Sequence, residues 1–184
     1  MLDDILDAWK ETDFDFRKTA FPEDPLKHLF QDWVPYYRLK WAVAHVLNPR
    51  SILEIGVRFG YSAFAFLHAC PDARYLGLDL DVSHSGGVPG AVSWARRILK
   101  PYDAEIRVAD TQAMETLPGG RYDLIHVDGR QDGDGTFHDL TLAVRQGRQS
   151  DRHCHCQFSF RALHARARGA VRHPRGYRER RHAY

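Results

Sequence analysis

The sequence predicts an α/β domain: a doubly wound, Rossmann-like parallel sheet with N-terminal helices, lacking its last strands. Three observations predict it. The run over 52–55 is short and continuously apolar apart from Glu54, as in a strand buried on both faces. A glycine-punctuated turn, an apolar helical pattern over 61–70 and a second strand over 74–80 follow it, which is the strand–helix–strand order of a parallel sheet. Later strand-like segments over 105–109 and 122–127 run directly into Asp110 and Asp128, as the 74–80 segment carries Asp79 near its end and runs into Asp81. In an open parallel sheet, ligands bind at the carboxyl ends of the strands, where these acids lie.

Each element has a local reason. Leu2, Ile5, Leu6 and Trp9 form an i, i+3, i+4, i+7 stripe, and Asp3 and Asp4 suit the positive end of that helix. An aromatic linker carries Phe14, Phe16 and Phe21, then Pro22 and Pro25. A helical pattern restarts near Asp24 and reaches Trp33; Pro35 starts a further helix over 36–47, which Asn48 and Pro49 stop. These aromatics either pack the helices onto the sheet, the preferred reading, or form a lid over a pocket. Pro71 and Asp72 end the helix over 61–70. The glycines and proline after Asp81 mark a loop, and a helix over 91–99 turns Val92, Ala95, Ile98 and Leu99 inward until Pro101 ends it. Residues 118–120, Pro-Gly-Gly, make a turn. A last helix is expected over 136–144.

Composition bounds the class. The 184 residues predict one folded domain, and 43% hydrophobic content is ordinary for a globular chain. No apolar run approaches the roughly 18 residues of a membrane span. The acidic N-terminus lacks the basic start of a signal peptide. The three cysteines, Cys70, Cys154 and Cys156, do not make a disulfide framework, so a reduced, cytoplasmic protein is expected. The net charge of +2 hides a division. Residues 1–144 hold 15 Lys and Arg against 22 acids, or −7; residues 145–184 hold 11 Arg against 2 acids, or +9.

The turn between the first two strands narrows the ligand. Glu54, Gly56 and Gly60 give E-x-G-x-x-x-G. A dinucleotide turn would place its first glycine where Glu54 stands, and that carboxylate would repel a pyrophosphate; a P-loop would need Lys where Tyr61 stands. The turn suits a ligand without a pyrophosphate and with positive charge. Here the stretch resembles motif I of the class I S-adenosylmethionine-dependent methyltransferases. The resemblance implies that Gly56 and Gly60 admit the cofactor close to the backbone, that Glu54 favours its cationic end and that Asp79 holds the ribose hydroxyls. It also implies that Asp110 contacts the adenine amino group, although an N-cap for the turn after it explains Asp110 equally well.

The run from Asp128 to Gly135 resembles the loop after strand four in a small-molecule O-methyltransferase subgroup that often binds a divalent cation. The resemblance makes Asp128 the candidate metal ligand, for Mg2+, and a candidate catalytic group. His126 and His138 are candidate bases. The subgroup's usual His is absent, since Arg130-Gln131-Asp132 occupies that stretch, and the acids that complete its metal site should follow the next strand. A calcium loop is discounted, because Asp139 replaces the twelfth-position Glu. The expected partner is a small-molecule hydroxyl acceptor, with a homo-oligomer left open and no membrane or nucleic acid expected.

The resemblance stops near residue 145. The expected division is 1–50 helical, 51–147 cofactor-binding core and 148–184 an Arg/His-rich tail. From 151 onward the chain has nine Arg, five His and no Lys, and only 157–160 could be a short strand. Three readings compete: a basic tail for nucleic acid, a metal site at His153, Cys154, His155 and Cys156, or out-of-frame translation of the true C-terminal half, which the composition favours. The whole is then a methyltransferase acting on a small-molecule hydroxyl in specialised metabolism, an inactive cofactor-binding remnant, or a nucleic-acid-binding protein.

Overall fold

The computed structural model describes residues 1–83, 87–148 and 155–157. Strands β1 (Ser51–Ile55), β2 (Arg74–Asp79), β3 (Ala104–Val108), β4 (Leu124–Val127) and β5 (His155–Gln157) form one parallel sheet in the order β3-β2-β1-β4-β5. The chain steps outward from β1 to β3, then returns to place β4 on the other side of β1. The β1–β4 pair is therefore the topological switch point, where the crevice of such a sheet forms. The helices are α1 (Leu2–Glu11), α2 (Phe30–Leu47), α3 (Tyr61–Ala69), α4 (Ala91–Ile98) and α5 (Gly133–Arg148).

Side-chain alternation on the central strands divides the core. Ile52 of β1, Tyr75 of β2 and Leu124 of β4 pack with Phe66 and Leu67 of α3 and with Val92 and Ala95 of α4. Leu53 and Ile55, Leu78, Ile125 and Val127 face the other way, onto Leu142 and Ala143 of α5. A third cluster is aromatic. Phe14, Phe16, Phe30 and Tyr37 pack on Phe59 and Tyr61 at the start of α3. The linker aromatics thus fix the N-terminal helices onto the body, as the preferred reading had it.

Some boundaries differ from expectation. The two helices expected around Pro35 are one, α2, with Pro35 inside it. The missing N–H at Pro35 costs one hydrogen bond. Burial of Val34, Ala42, Val43 and Ala44 along the same helix outweighs that loss. The last helix begins three residues early, at Gly133, because Asp132 caps it: its Oδ1 accepts the Gly135 N–H at 2.8 Å. Of the short strand expected over 157–160, only Gln157 lies within the described residues, as the last residue of β5, which pairs in register with β4 as Leu124↔His155 and His126↔Gln157. The tail beyond Gln157, and the proposed metal cluster at His153 to Cys156 apart from the backbone of His155 and Cys156, lie outside the described residues. No helix among the described residues is long and apolar enough to cross a membrane.

Candidate functional site

A cavity of about 1520 Å³ opens at the carboxyl ends of β1, β2 and β4. That exceeds the roughly 300–1,000 Å³ of a single-ligand pocket. Its wall includes Gly56 after β1, Asp79 at the end of β2, Asp110 after β3 and Asp128 after β4. The switch point of the sheet and the acids expected from the sequence coincide there.

Asp79 is held by the turn it faces. Its Oδ2 accepts the Val57 and Arg58 backbone N–H groups, each at 2.8 Å, and its Oδ1 accepts Asp81 N–H at 2.7 Å. Arg58 sits at φ 49°, a left-handed conformation that costs a non-glycine residue on the order of 1 kcal/mol. Its guanidinium grips the buried Asp24 with both arms, at 2.8 and 3.0 Å, and Tyr61 Oη donates to the same carboxylate at 3.0 Å. This bidentate pair fastens the N-terminal linker to the turn.

The glycines have partners within the chain. Gly56 has φ 88°, and a Cβ there would lie 2.4 Å from the Asp128 carbonyl oxygen. The β1 turn and the loop after β4 therefore touch backbone to backbone, and the cavity wall at Gly56 is bare main chain. Gly60 has φ 79°, and a Cβ there would lie 2.9 Å from the Ala95 Cβ of α4. Gly60 does not line the cavity, so what its lack of a side chain makes room for is α4.

Glu54 is also placed differently from expectation. It is fully buried beneath the turn and does not line the cavity. Its carboxyl accepts from Tyr75 Oη and faces His126 Nδ1 at 2.9 Å. Burial raises the Glu54 carboxyl to about 8 and lowers His126 to about 3. Both groups are then predominantly neutral near pH 7. His126, a candidate base by sequence, is likewise sealed inside, edge-on to Phe66. The other candidate base, His138, hydrogen-bonds through Nε2 to the Thr111 and Met114 carbonyls at 3.0 and 3.1 Å. It ties α5 to the loop after β3 and does not line the cavity.

Asp128 does line the cavity, and its partners come from α2. Lys40 Nζ lies 3.3 Å from its Oδ2, and Tyr36 Oη donates to the same oxygen at 3.3 Å. Lys40 is fully buried: Nζ donates to Ser62 Oγ at 2.6 Å and sits 4.3 Å from the Tyr36 ring centroid. Burial, with help from Asp128, holds the Tyr36 phenol far above its ordinary value, so it stays a donor. Lys40 was missed at the level of sequence. Its signal was there: Tyr36, Tyr37, Val43 and Ala44 occupy the i−4, i−3, i+3 and i+4 positions, which put this lysine on an apolar helix face.

Asp110 accepts Gln112 N–H at 2.9 Å as the cap of the short turn after β3, and lines the cavity as well. Both roles weighed for it are compatible. The divalent cation expected from the resemblance does not fit. Asp128 Oδ2 already faces an ammonium, Asp132 caps α5 and pairs with Arg130 at 2.7 Å, and no group of three His, Cys, Asp or Glu suited to a metal exists among the described residues.

Comparison with known proteins places this site in a family context. A family described as a methyltransferase domain matches residues 53–150. No curated protein matches the chain. Among solved structures, a Podospora anserina methyltransferase with SAH bound is similar at TM-score 0.53 and 22% identity, over 79% of this chain and 57% of its own. The O-methyltransferase TomG of Streptomyces achromogenes, involved in tomaymycin synthesis and solved with SAM, is similar at TM-score 0.50 and 19% identity, over 77% and 66%. The chain thus spans less than two thirds of the length of either, and the likeness is one of fold.

Proposed function

The chain belongs to the methyltransferase-domain family, and on that premise we propose that it methylates a small-molecule hydroxyl with S-adenosylmethionine. The observation that carries the reading is Asp79, fixed by two amides of the β1 turn at the edge of a cavity whose wall at Gly56 is bare backbone. A ribose fits a carboxylate with lone pairs to spare, and a ligand can lie against main chain where no Cβ intervenes. The family's cofactor supplies a methyl group on a positively charged sulfur. Asp79 would hold its ribose hydroxyls, Asp110 its adenine amino group and Gly56 its amino-acid end. Asp32, Asp79, Asp110 and Asp128 all border the cavity, and their charges favour a cationic ligand.

The acceptor would occupy the side walled by Trp33, Tyr36, Tyr37, Phe137 and Leu140. There Asp128 receives the hydroxyl proton as the oxygen is methylated, and Tyr36 orients the carboxylate. His126 and His138 play no such part, since neither lines the cavity.

Titration calorimetry on the full chain tests the reading. S-adenosylhomocysteine binds and NAD does not. Asp79→Ala weakens that binding by roughly 1.5–3 kcal/mol, the loss of hydrogen bonds to a charged group. Binding of NAD with no response to the sulfur ligand would overturn the proposal, and an unchanged affinity in folded Asp79→Ala would remove Asp79 from the site.

A further inference from the structure

We propose that Lys40 is a built-in cation that replaces a divalent metal at Asp128, and that this site works without one. The inference rests on the reading above for the role of Asp128, but its geometry stands apart from it. A metal-using site would aim several oxygen ligands at one point, with the metal as the positive charge that fixes the carboxylate. Here the positive charge is a side chain of the fold. Lys40 is fully buried, its Nζ is 2.6 Å from Ser62 Oγ and 3.3 Å from Asp128 Oδ2, and the Tyr36 and Tyr37 rings lie 4.3 and 5.4 Å from it.

A buried lysine is costly unless paired, and the partner here is the one carboxylate at the end of β4. Tyr36 Oη shares the same oxygen at 3.3 Å. Both contacts fall on Oδ2, and Oδ1 makes no hydrogen bond among the described residues. With Oδ2 pinned, the carboxylate cannot rotate freely, and Oδ1 is the atom left to meet an acceptor hydroxyl. The neighbouring acids do not complete a metal site. Asp132 caps α5 and pairs with Arg130, and Asp139 accepts from Thr111 and Gln112 on Oδ1 at 2.7 and 2.8 Å. Among the described residues the buried Asp139 Oδ2 has no hydrogen-bond partner, and no group of three metal-ligating side chains converges. Lys40 is therefore a positioning residue, acting through Asp128.

The test is Mn2+ binding, read by loss of the free-ion electron paramagnetic resonance signal, on the full chain with S-adenosylhomocysteine present. Wild type and Asp128→Asn should give superimposable curves, because no ion binds through Asp128. Lys40→Met leaves the carboxylate uncompensated, and its Mn2+ affinity should rise about tenfold or more. The rise should vanish in the Lys40→Met, Asp128→Asn double variant. Lys40→Arg, which keeps the charge, should match wild type, an outcome that a packing role alone would not produce. One Mn2+ per wild-type chain, lost in Asp128→Asn, would overturn the proposal, as would a folded Lys40→Met indistinguishable from wild type. The wild-type against Asp128→Asn comparison decides even if Lys40→Met does not fold. Failure of S-adenosylhomocysteine to bind would instead count against the cofactor reading, so the two failures are distinguishable.

Discussion

Glu54 shows how a single buried carboxyl can set the response of the fold to pH. Burial raises it to about 8, whereas His126, lowered to about 3 by its own burial, completes its titration below the physiological range. A carboxyl raised on folding stays protonated in the native state after the unfolded chain has lost the proton. The native state then binds more protons than the unfolded one, so stability falls as pH rises. The Glu54 contribution is fully present below about 4.5 and disappears as pH climbs through 8. Above about pH 7.5 His126 is neutral in both states, and below that its own titration in the unfolded chain is common to wild type and Glu54→Gln, so their difference reports Glu54. We expect the melting temperature of wild type to decline relative to Glu54→Gln between pH 6.5 and 9, since the amide copies the neutral acid and does not titrate. Parallel melting curves for the two proteins across that range would show that Glu54 is ionised in the fold.

At the scale of elements, the linker ahead of α2 depends on the Arg58–Asp24 clamp. Asp24 is buried, and it also accepts Leu26 N–H at 2.9 Å, so it organises the approach to α2 as well as the ion pair. Asp24→Ala should cost about 3 kcal/mol, as for other broken buried pairs, and should speed amide exchange in residues 20–29 while sparing β1 and β4. Uniformly faster exchange across the sheet would mean that the linker and body do not unfold separately. The central strands β1, β2 and β4 were legible because each is a short, mostly apolar run, whereas β3 mixes Glu105 and Arg107 with apolar residues and β5 is polar. The acids at the strand ends were legible because polarity returns where a strand leaves the sheet. Asp79, Asp110 and Asp128 reached the cavity for that reason. Glu54, His126 and Lys40 were not legible in the same way. Their roles depend on which face of a strand or helix they occupy and on what packs over it, and a pairing such as Lys40 with Asp128 joins residues 88 positions apart. The glycines were found from spacing, yet what crowds them, the Asp128 backbone and Ala95, comes from loops and helices far along the chain.

At the scale of the molecule, the division of charge at about residue 145 meets the geometry of the cavity. The lining runs from Leu26 to Leu140 among the described residues, all within the acidic part of the chain. The Arg-rich tail adds only β5 to the described sheet, beside β4. The change of composition is the ground for proposing that the tail is translated out of frame, and sequencing codons 140–155 tests that proposal. Whatever its origin, the tail should matter unequally to stability and to cofactor binding. A chain ending at Gln157 keeps β5 and every described residue of the cavity wall, so it should bind S-adenosylhomocysteine within about twofold of the full chain. A chain ending at Arg148 loses β5 and leaves the backbone groups of β4 unpaired on that side, so it should unfold at lower temperature and aggregate more readily. Calorimetry and thermal melts on the two truncations separate these effects. A loss of affinity above tenfold on removing residues 158–184 would place part of the tail in the site, and would assign it a role in the acceptor or cofactor pocket that the cavity wall from Leu26 to Leu140 does not require.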